Sequence, residues 1–541
     1  MMKKLISVLL ALAMLAVPVL SASAEEPPGA EGEYTLIRTA DDLKNAAEGN
    51  YRLANDIDLG GQELTVAFAT LGGVLDGNGH SITGFSLKLE SNNVGLLLLR
   101  GELTVRNLTV GSPDAPVAVS GGTSGAGGDA FAGVLLRNTS NSGRAYNVTF
   151  ENVHIWGDVA ANGAHVGGFI GQVSGAAVRF TNCTMNGELR AAVGKTSTGA
   201  AGFIGSLTGS GSVLFEQCIN NAAVTRTDTN SDACSAGFIG FVNTTGSVSV
   251  TDCINNGAVS GLKLVGGLFG YLYAAGGGAD VNGVWNSADI IGATIDGNKG
   301  LFVGAVFGRK QCALTVENLF NSGDILCEDN FYGAIGGHNS NGALSVTDFV
   351  TEGTARYGAC AGTMPAPLTN AYFCGTYSEA TAGMTALNDR NAVVKTLNAE
   401  GFMDGFRKIY GDFTAELTPI TFFPTVEVAG YQLSADGTDL RLIGYVDALG
   451  YAGVGFGLEI GYEGRTEVYE VSDITSVYTA VQGGGDSYTA KDTVGRSGFL
   501  YAFVIEDVPA GAVFTVTPCC MLQDGSSVNG PAAVVTMPAG Q

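Results

Sequence analysis

The sequence predicts an all-β chain: a parallel β-helix (solenoid) with helical caps, followed by a C-terminal antiparallel β-sandwich. Three observations carry this reading. A glycine-bearing block recurs along the chain at intervals near 34 residues, alternating β-branched runs ending in Asn-Gly-type turns lie between the blocks, and the segment from Val426 onward changes in charge and pattern. Composition agrees. Glycine supplies 81 of 541 residues and proline only 13, whereas collagen needs about one-third glycine with abundant proline. A disordered chain would lack the 45 % hydrophobic residues found here.

In chain order, residues 1–24 carry Lys3 and Lys4, an apolar run and a small-residue Ala22-Ser23-Ala24 end, which reads as a secretory signal peptide. No lipid-anchoring cysteine is expected, since the first is Cys183, and residues 535–541 suggest no membrane anchor. Residues 25–60 form the N-terminal cap: Thr39-Ala40-Asp41-Asp42 fits a capping box opening a helix to about Glu48. The solenoid spans 61–378. A cap helix over 385–398 and a linker fill 379–425, and 426–541 is the sandwich, with runs such as 439–446, 466–471, 498–508 and 512–522 separated by turn residues.

The solenoid rests on repeat arithmetic. VGGFIG (166–171), AAGFIG (200–205), SAGFIG (235–240), VGGLFG (265–270) and VGAVFG (303–308) are strong copies; 93–98, 131–136, 332–337 and 357–362 are weaker. Their third residues fall at 95, 133, 168, 202, 237, 267, 305, 334 and 359. Between them run strands such as SVSVTDCINNGAV (247–259) and ALTVENLFNSGDI (313–325). Paired helices of similar period are excluded, because each interior glycine would cost a helix about 1 kcal/mol and no 3.6-residue period exists. The column Leu108, Val153, Cys183, Cys218, Cys253, Val284, Leu319, Phe349, Ala371 is wholly apolar and should face the core. The preceding column, Asn107, Asn152, Asn182, Gln217, Asp252, Gly283, Asn318, Asp348, Asn370, suits a left-handed corner with side-chain pairing between coils.

The GGFIG, AGFIG and GGLFG blocks resemble the GLUG motif of bacterial secreted and surface proteins, and Leu75-Asp76-Gly77-Asn78-Gly79-His80-Ser81-Ile82 resembles the first coil of such β-helix proteins. The resemblance covers about residues 34–422 and implies a right-handed, pectin-lyase-like scaffold of adhesin-like type. It is specific for architecture and poor for activity. The last segment loosely resembles the small C-terminal domain that follows β-helices in secreted clostridial proteins.

Charge narrows the partners. Loss of the leader, with Lys3 and Lys4, takes the net charge from −24 to −26, so nucleic acid and anionic membranes are poor partners. The sequence has no HExxH helix, Gly-x-Ser-x-Gly elbow or phosphate-binding Walker loop. No catalytic residue is assigned, and His80, His154, His165 and His338 are read as turn or surface residues. One column is acidic: Asp158, Glu188, Ala223, Ala258, Asp289, Asp324, Thr354. Solvated charge is the leading account; Asp289 and Asp324, side by side on neighbouring coils, are the candidate Ca²⁺ ligands. No other cofactor is expected. Cys183, Cys218 and Cys253 are read as a stack of buried hydrophobes rather than as bridges, and the sandwich tyrosines, Tyr431, Tyr445, Tyr451, Tyr478 and Tyr501 among them, as core rather than sugar platforms.

The expected function is a secreted or surface-associated, non-catalytic, adhesin-like protein presenting its β-helix surface to an extracellular glycan or protein. The alternative is a polysaccharide lyase or glycoside hydrolase on the same scaffold, which needs convergent carboxylates, or a Ca²⁺ site with a basic residue.

Overall fold

The computed structural model describes residues 34–538 apart from 91–93, 123–130, 163–164, 193–197, 228, 230–232, 330, 363–366, 380–382, 418–419, 421–424, 434–437, 448–454, 471–475, 480–498, 522–526 and 531. The leader falls outside these residues. The chain divides into two compact units: the described parts of 34–407 and 413–420, and 408–412 with those from Thr425 onward.

The first unit is a parallel β-solenoid of about eight turns. One coil shows the path. His165–Gly167 starts the first face, Ile170–Ser174 the second, Ala177–Thr181 the third and Thr184–Ala191 the fourth. Each strand pairs in parallel with its counterparts one coil before and after, so the first face is a nine-stranded sheet from Phe131–Gly133 to Tyr377–Glu379. Because the pairing is coil to coil, side chains of one repeat position stack at about the 4.8 Å strand spacing.

The column from Leu108 to Ala371 is buried throughout, as read. Its predecessor makes the corner: Asn107, Asn152, Asn182, Gln217, Asp252, Asn318, Asp348 and Asn370 all have φ between 50° and 56°, with Gly283 at 67°. Asn, Asp and Gly accept this left-handed conformation because a short polar group, or none, relieves the clash that a branched side chain would suffer. The amides also bridge coils, Asn152 Nδ2 donating to Asn107 Oδ1 at 3.2 Å and Asn370 Nδ2 to Asp348 Oδ1 at 3.0 Å.

The glycine blocks mark the bend from the first face to the second. At Gly168 an added Cβ would lie 2.1 Å from Gly202 O; at Gly237 it would lie 2.2 Å from Asn255 Oδ1. Close approach, not φ, therefore demands glycine. Three of the four weak copies sit one residue out of the register read from sequence, the copy at 332–337 being in register: Gly133 pairs with Gly167, not with the level of Gly168, Val94 pairs with Ala132, and Gly333 pairs with Tyr357. Residues 96, 134 and 358 are thus the true equivalents of Gly168. Glycine marked the wrong level in the first two because both neighbouring positions of the strong copies carry glycine.

Two aromatic ladders fill the middle coils. Phe150, Phe180 and Phe215 stack at 4.9 and 4.8 Å, Phe169, Phe203 and Phe238 at 4.9 and 5.0 Å, and the ladders meet edge to face. Beside them runs a buried polar ladder that the sequence reading overlooked. Asn220 Nδ2 donates to Asn255 Oδ1, Asn255 Nδ2 to Asn286 Oδ1 and Asn286 Nδ2 to Asn321 Oδ1, each at 2.8 Å, and Asn321 Nδ2 ends the series on Thr351 Oγ1 at 3.2 Å. Every amide also donates to the carbonyl two residues on, at Ala222, Gly257, Ala288 and Gly323. Asn255, Asn286 and Asn321 thus use both amide hydrogens and the oxygen and lie in the core without an unpaired group, while Asn220 Oδ1, at the head of the ladder, is buried without a partner.

Helix α1, Ala40–Asn45, carries the expected capping box between Thr39 and Asp42. It stops before Glu48 because Glu48–Leu53 already pairs with Ala69–Asp76. Helix α2, Arg390–Leu397, is shorter than the 385–398 reading, since Met384–Ala386 is a strand on Leu368–Phe373. Its Arg390 meets Glu352 at 2.6 Å. The following segment is more than a cap: it runs back along the flank. Met403 N–H donates to Asn318 Oδ1, Phe413 and Phe406 pack on Trp285, and Asn256 Nδ2 donates to Ile420 O.

The second unit holds two antiparallel sheets. One comprises Thr425–Leu433, Leu440–Asp447, Phe499–Ile505 and Ser476–Thr479; the other is built on Gly455–Tyr462 and Val513–Met521. Leu440, Leu442, Leu458, Tyr501, Phe503 and Val516 share the core between them. Tyr501 is fully buried and donates from its hydroxyl to Gly457 O across the sheets at 2.8 Å.

Candidate functional site

The acidic column lies in the register read from sequence, with Asp158 opposite Glu188 and Asp289 and Asp324 on successive coils. Each of the latter has a structural task. Asp289 Oδ1 accepts Asp324 N–H at 2.9 Å, and Asp324 Oδ1 accepts Thr354 N–H at 2.7 Å. These oxygens tie one coil to the next, leaving the second oxygen of each free of that bond. Glu188 is held by Arg190. Among the described residues, no three His, Cys, Asp or Glu side chains gather as a metal centre would require.

The histidines are dispersed. His80 sits 3.5 Å from Asp56, whose carboxyl is held down at about 2 by hydrogen bonds from His80 and Ser81. His154, desolvated between Thr184 and Asn152, falls to about 4. His165 stacks on Phe131. All ten cysteines are free thiols, with Cys183, Cys218 and Cys253 in one buried stack where burial pushes Cys218 up. Tyr445 and Tyr501 are core residues and Tyr431 is half-buried; Tyr451 and the Tyr478 side chain lie outside the described residues.

The structure draws attention elsewhere, to the outside of the bend between the first and second faces. On the second face, Ser206, Phe241, Tyr271, Arg309 and His338 occupy one outward column of successive coils. On the first face, Cys234, Leu264, Phe302 and Phe331 do the same. The last glycine of each block brings the two columns together: a Cβ on Gly270 would lie 2.8 Å from Cys234 Cβ, and one on Gly308 2.4 Å from the Leu264 carbonyl carbon. Cys234, Phe241, Leu264 and Tyr271, with Phe302 against them, thus form an apolar cluster separate from the main core.

Three features set this seam apart from the rest of the wall. Leu264 and Phe302 have φ of 56° and 62°, a conformation that costs a bulky residue of order 1–3 kcal/mol and persists only where packing imposes it. A bulge between Val242 and Asn243 leaves Tyr273 as the extra residue opposite them, 46 % exposed, with its ring 5.6 Å from that of Tyr271. Arg309 lies 5.6 Å over both the Tyr271 and Phe302 rings and donates from Nε to Ser340 Oγ at 3.2 Å. His338 stacks on Phe302 at 5.0 Å, and its Nδ1 is buried without a hydrogen-bond partner. Desolvation, with Arg309 nearby, lowers its basicity.

None of this was read from the sequence. The signal was present in the register, because Phe241, Tyr271 and Arg309 each directly follow the last glycine of their block, Gly240, Gly270 and Gly308. A search of family models, of curated proteins and of solved structures finds no match to the chain.

Proposed function

We propose that this chain is a secreted or surface-associated, non-catalytic binding protein of GLUG-motif, adhesin-like type, whose solenoid wall receives an extracellular glycan or protein. The observation that carries the reading is the aromatic seam on the outer wall, where a bulge leaves the Tyr273 ring exposed over the buried Phe241 and Tyr271 instead of in the core. A binding surface spends stability on presenting apolar area to solvent, which a purely structural wall has no reason to do.

The test exposes the purified secreted chain to an array of glycans and extracellular matrix proteins, and follows chain length of any glycan it retains. Saturable retention without shortening is expected. Retention of nothing on the array would refute the binding reading, and progressive shortening of a retained polysaccharide would establish the lyase or hydrolase alternative.

A further inference from the structure

We propose that the seam formed by Tyr271, Tyr273, Phe302, Arg309 and His338 is a subsite for an acidic sugar of uronic-acid type. The inference deepens the binding reading above and rests on it. Arg106, Arg179, Arg190 and Arg390 each meet a carboxylate of this chain. Arg309 instead lies over two rings and uses only its Nε for a serine hydroxyl. The Nη edge of a guanidinium so held matches the two oxygens of a carboxylate in the bidentate fashion that arginine favours.

In a chain of net charge −24, a cation without its own acidic partner among the described residues provides a local complement to an anion that the rest of the surface would repel. The neighbouring groups fit a pyranose. Tyr273 offers an exposed ring for the C–H face of a sugar, and Tyr271 backs it edge to face. His338 stacks on Phe302, on the coil next to Arg309, and so extends the ring platform. A protein ligand would meet the same arginine, but the platform is a few rings wide and its polar groups are those that a single sugar residue uses.

The experiment measures binding of the full secreted chain to polygalacturonate and to dextran of similar length, with Arg309→Gln, Tyr273→Ala and, as a surface control, Arg179→Gln. The expected result is saturable binding of polygalacturonate and not of dextran, weakened about tenfold or more in each seam variant and unchanged in the control. Tyr273 is exposed, so its variant reports on the site even where Arg309→Gln lowers the melting temperature. Equal affinity for dextran would overturn the acidic assignment while leaving glycan binding. Unchanged affinity in both seam variants would overturn the location. Retention of a matrix protein with no polygalacturonate bound would overturn this inference and leave the wider binding reading standing.

Discussion

Asn255 is the residue whose replacement tests the buried amide ladder most directly. It accepts from Asn220 Nδ2 and donates to Asn286 Oδ1, both at 2.8 Å, and donates to Gly257 O at 3.3 Å. Asn255→Ala removes all three bonds and strands one hydrogen of Asn220, the Asn286 oxygen and the Gly257 carbonyl in a fully buried place. Each stranded group costs about 1–3 kcal/mol, and partial relaxation brings the expected total to about 3–5 kcal/mol. Asn256→Ala is the contrast. That side chain also makes ladder bonds, to Asn221 and Ser287, and donates to Ile420 O, but it is half-buried, so water replaces what is lost and the expected cost is about 1 kcal/mol. Asn255→Ala with Asn286→Ala should cost less than the two single changes added, because the second change removes a group that the first left unpaired. Since solenoids open locally, amide hydrogen exchange over the coils of Asn220, Asn255 and Asn286 is the assay, with urea melts alongside. Equal protection in Asn255→Ala and Asn256→Ala, or strict additivity in the double variant, would refute the argument.

Burial, with Glu216 beside it, raises Asp252 to about 7. The folded state then holds a proton that the unfolded chain releases near pH 4, so Asp252 makes stability fall as pH rises from about 4 to 7, by about 4 kcal/mol at most. Asn tolerates the left-handed φ of 51°, so Asp252→Asn should melt higher than the parent at pH 8 and lose that slope; parallel melting curves across pH would count against it. Asp324→Ala should cost about 1 kcal/mol by uncapping Thr354 N–H, equally with Ca²⁺ or with chelator. A Ca²⁺-dependent melting temperature that disappears in Asp289→Asn would instead establish a cation there. In the native state Cys183, Cys218 and Cys253 should resist a thiol reagent, whereas all ten cysteines should react after unfolding without reductant; a shortfall in the unfolded count would reveal disulfides.

Much of the solenoid was legible because its physics is one-dimensional. A coil must turn at the same place each time, and the turn needs Asn, Asp or Gly, so the corner column from Asn107 to Asn370 and the apolar column after it could be aligned from composition alone. The capping box of α1 was legible for a similar reason, as it lies within four residues of chain. The one-residue slip at 95, 133 and 359 shows the limit: adjacent glycines are indistinguishable in sequence, and only strand pairing separates Gly133 from the level of Gly168. The 385–398 helix was overlong because pairing of Met384–Ala386 with Leu368–Phe373 overrides local helical preference.

By itself the sequence determined what depends on repetition and local chemistry: parallel coils, the inward columns, the corner residues, the acidic net charge and the change of character near Val426. Tertiary structure alone decided what depends on which repeats lie beside one another outside the core. The return of the segment after α2 to Trp285, the commitment of Asp289 and Asp324 to backbone N–H groups, and the meeting of Tyr271 with Arg309 and of Phe302 with His338 all join residues about 30 to 130 positions apart. Periodicity constrains the interior because every coil there must satisfy the same packing. It places no such demand on the wall, where each coil is free to differ, and differences are where a ligand finds something to recognise.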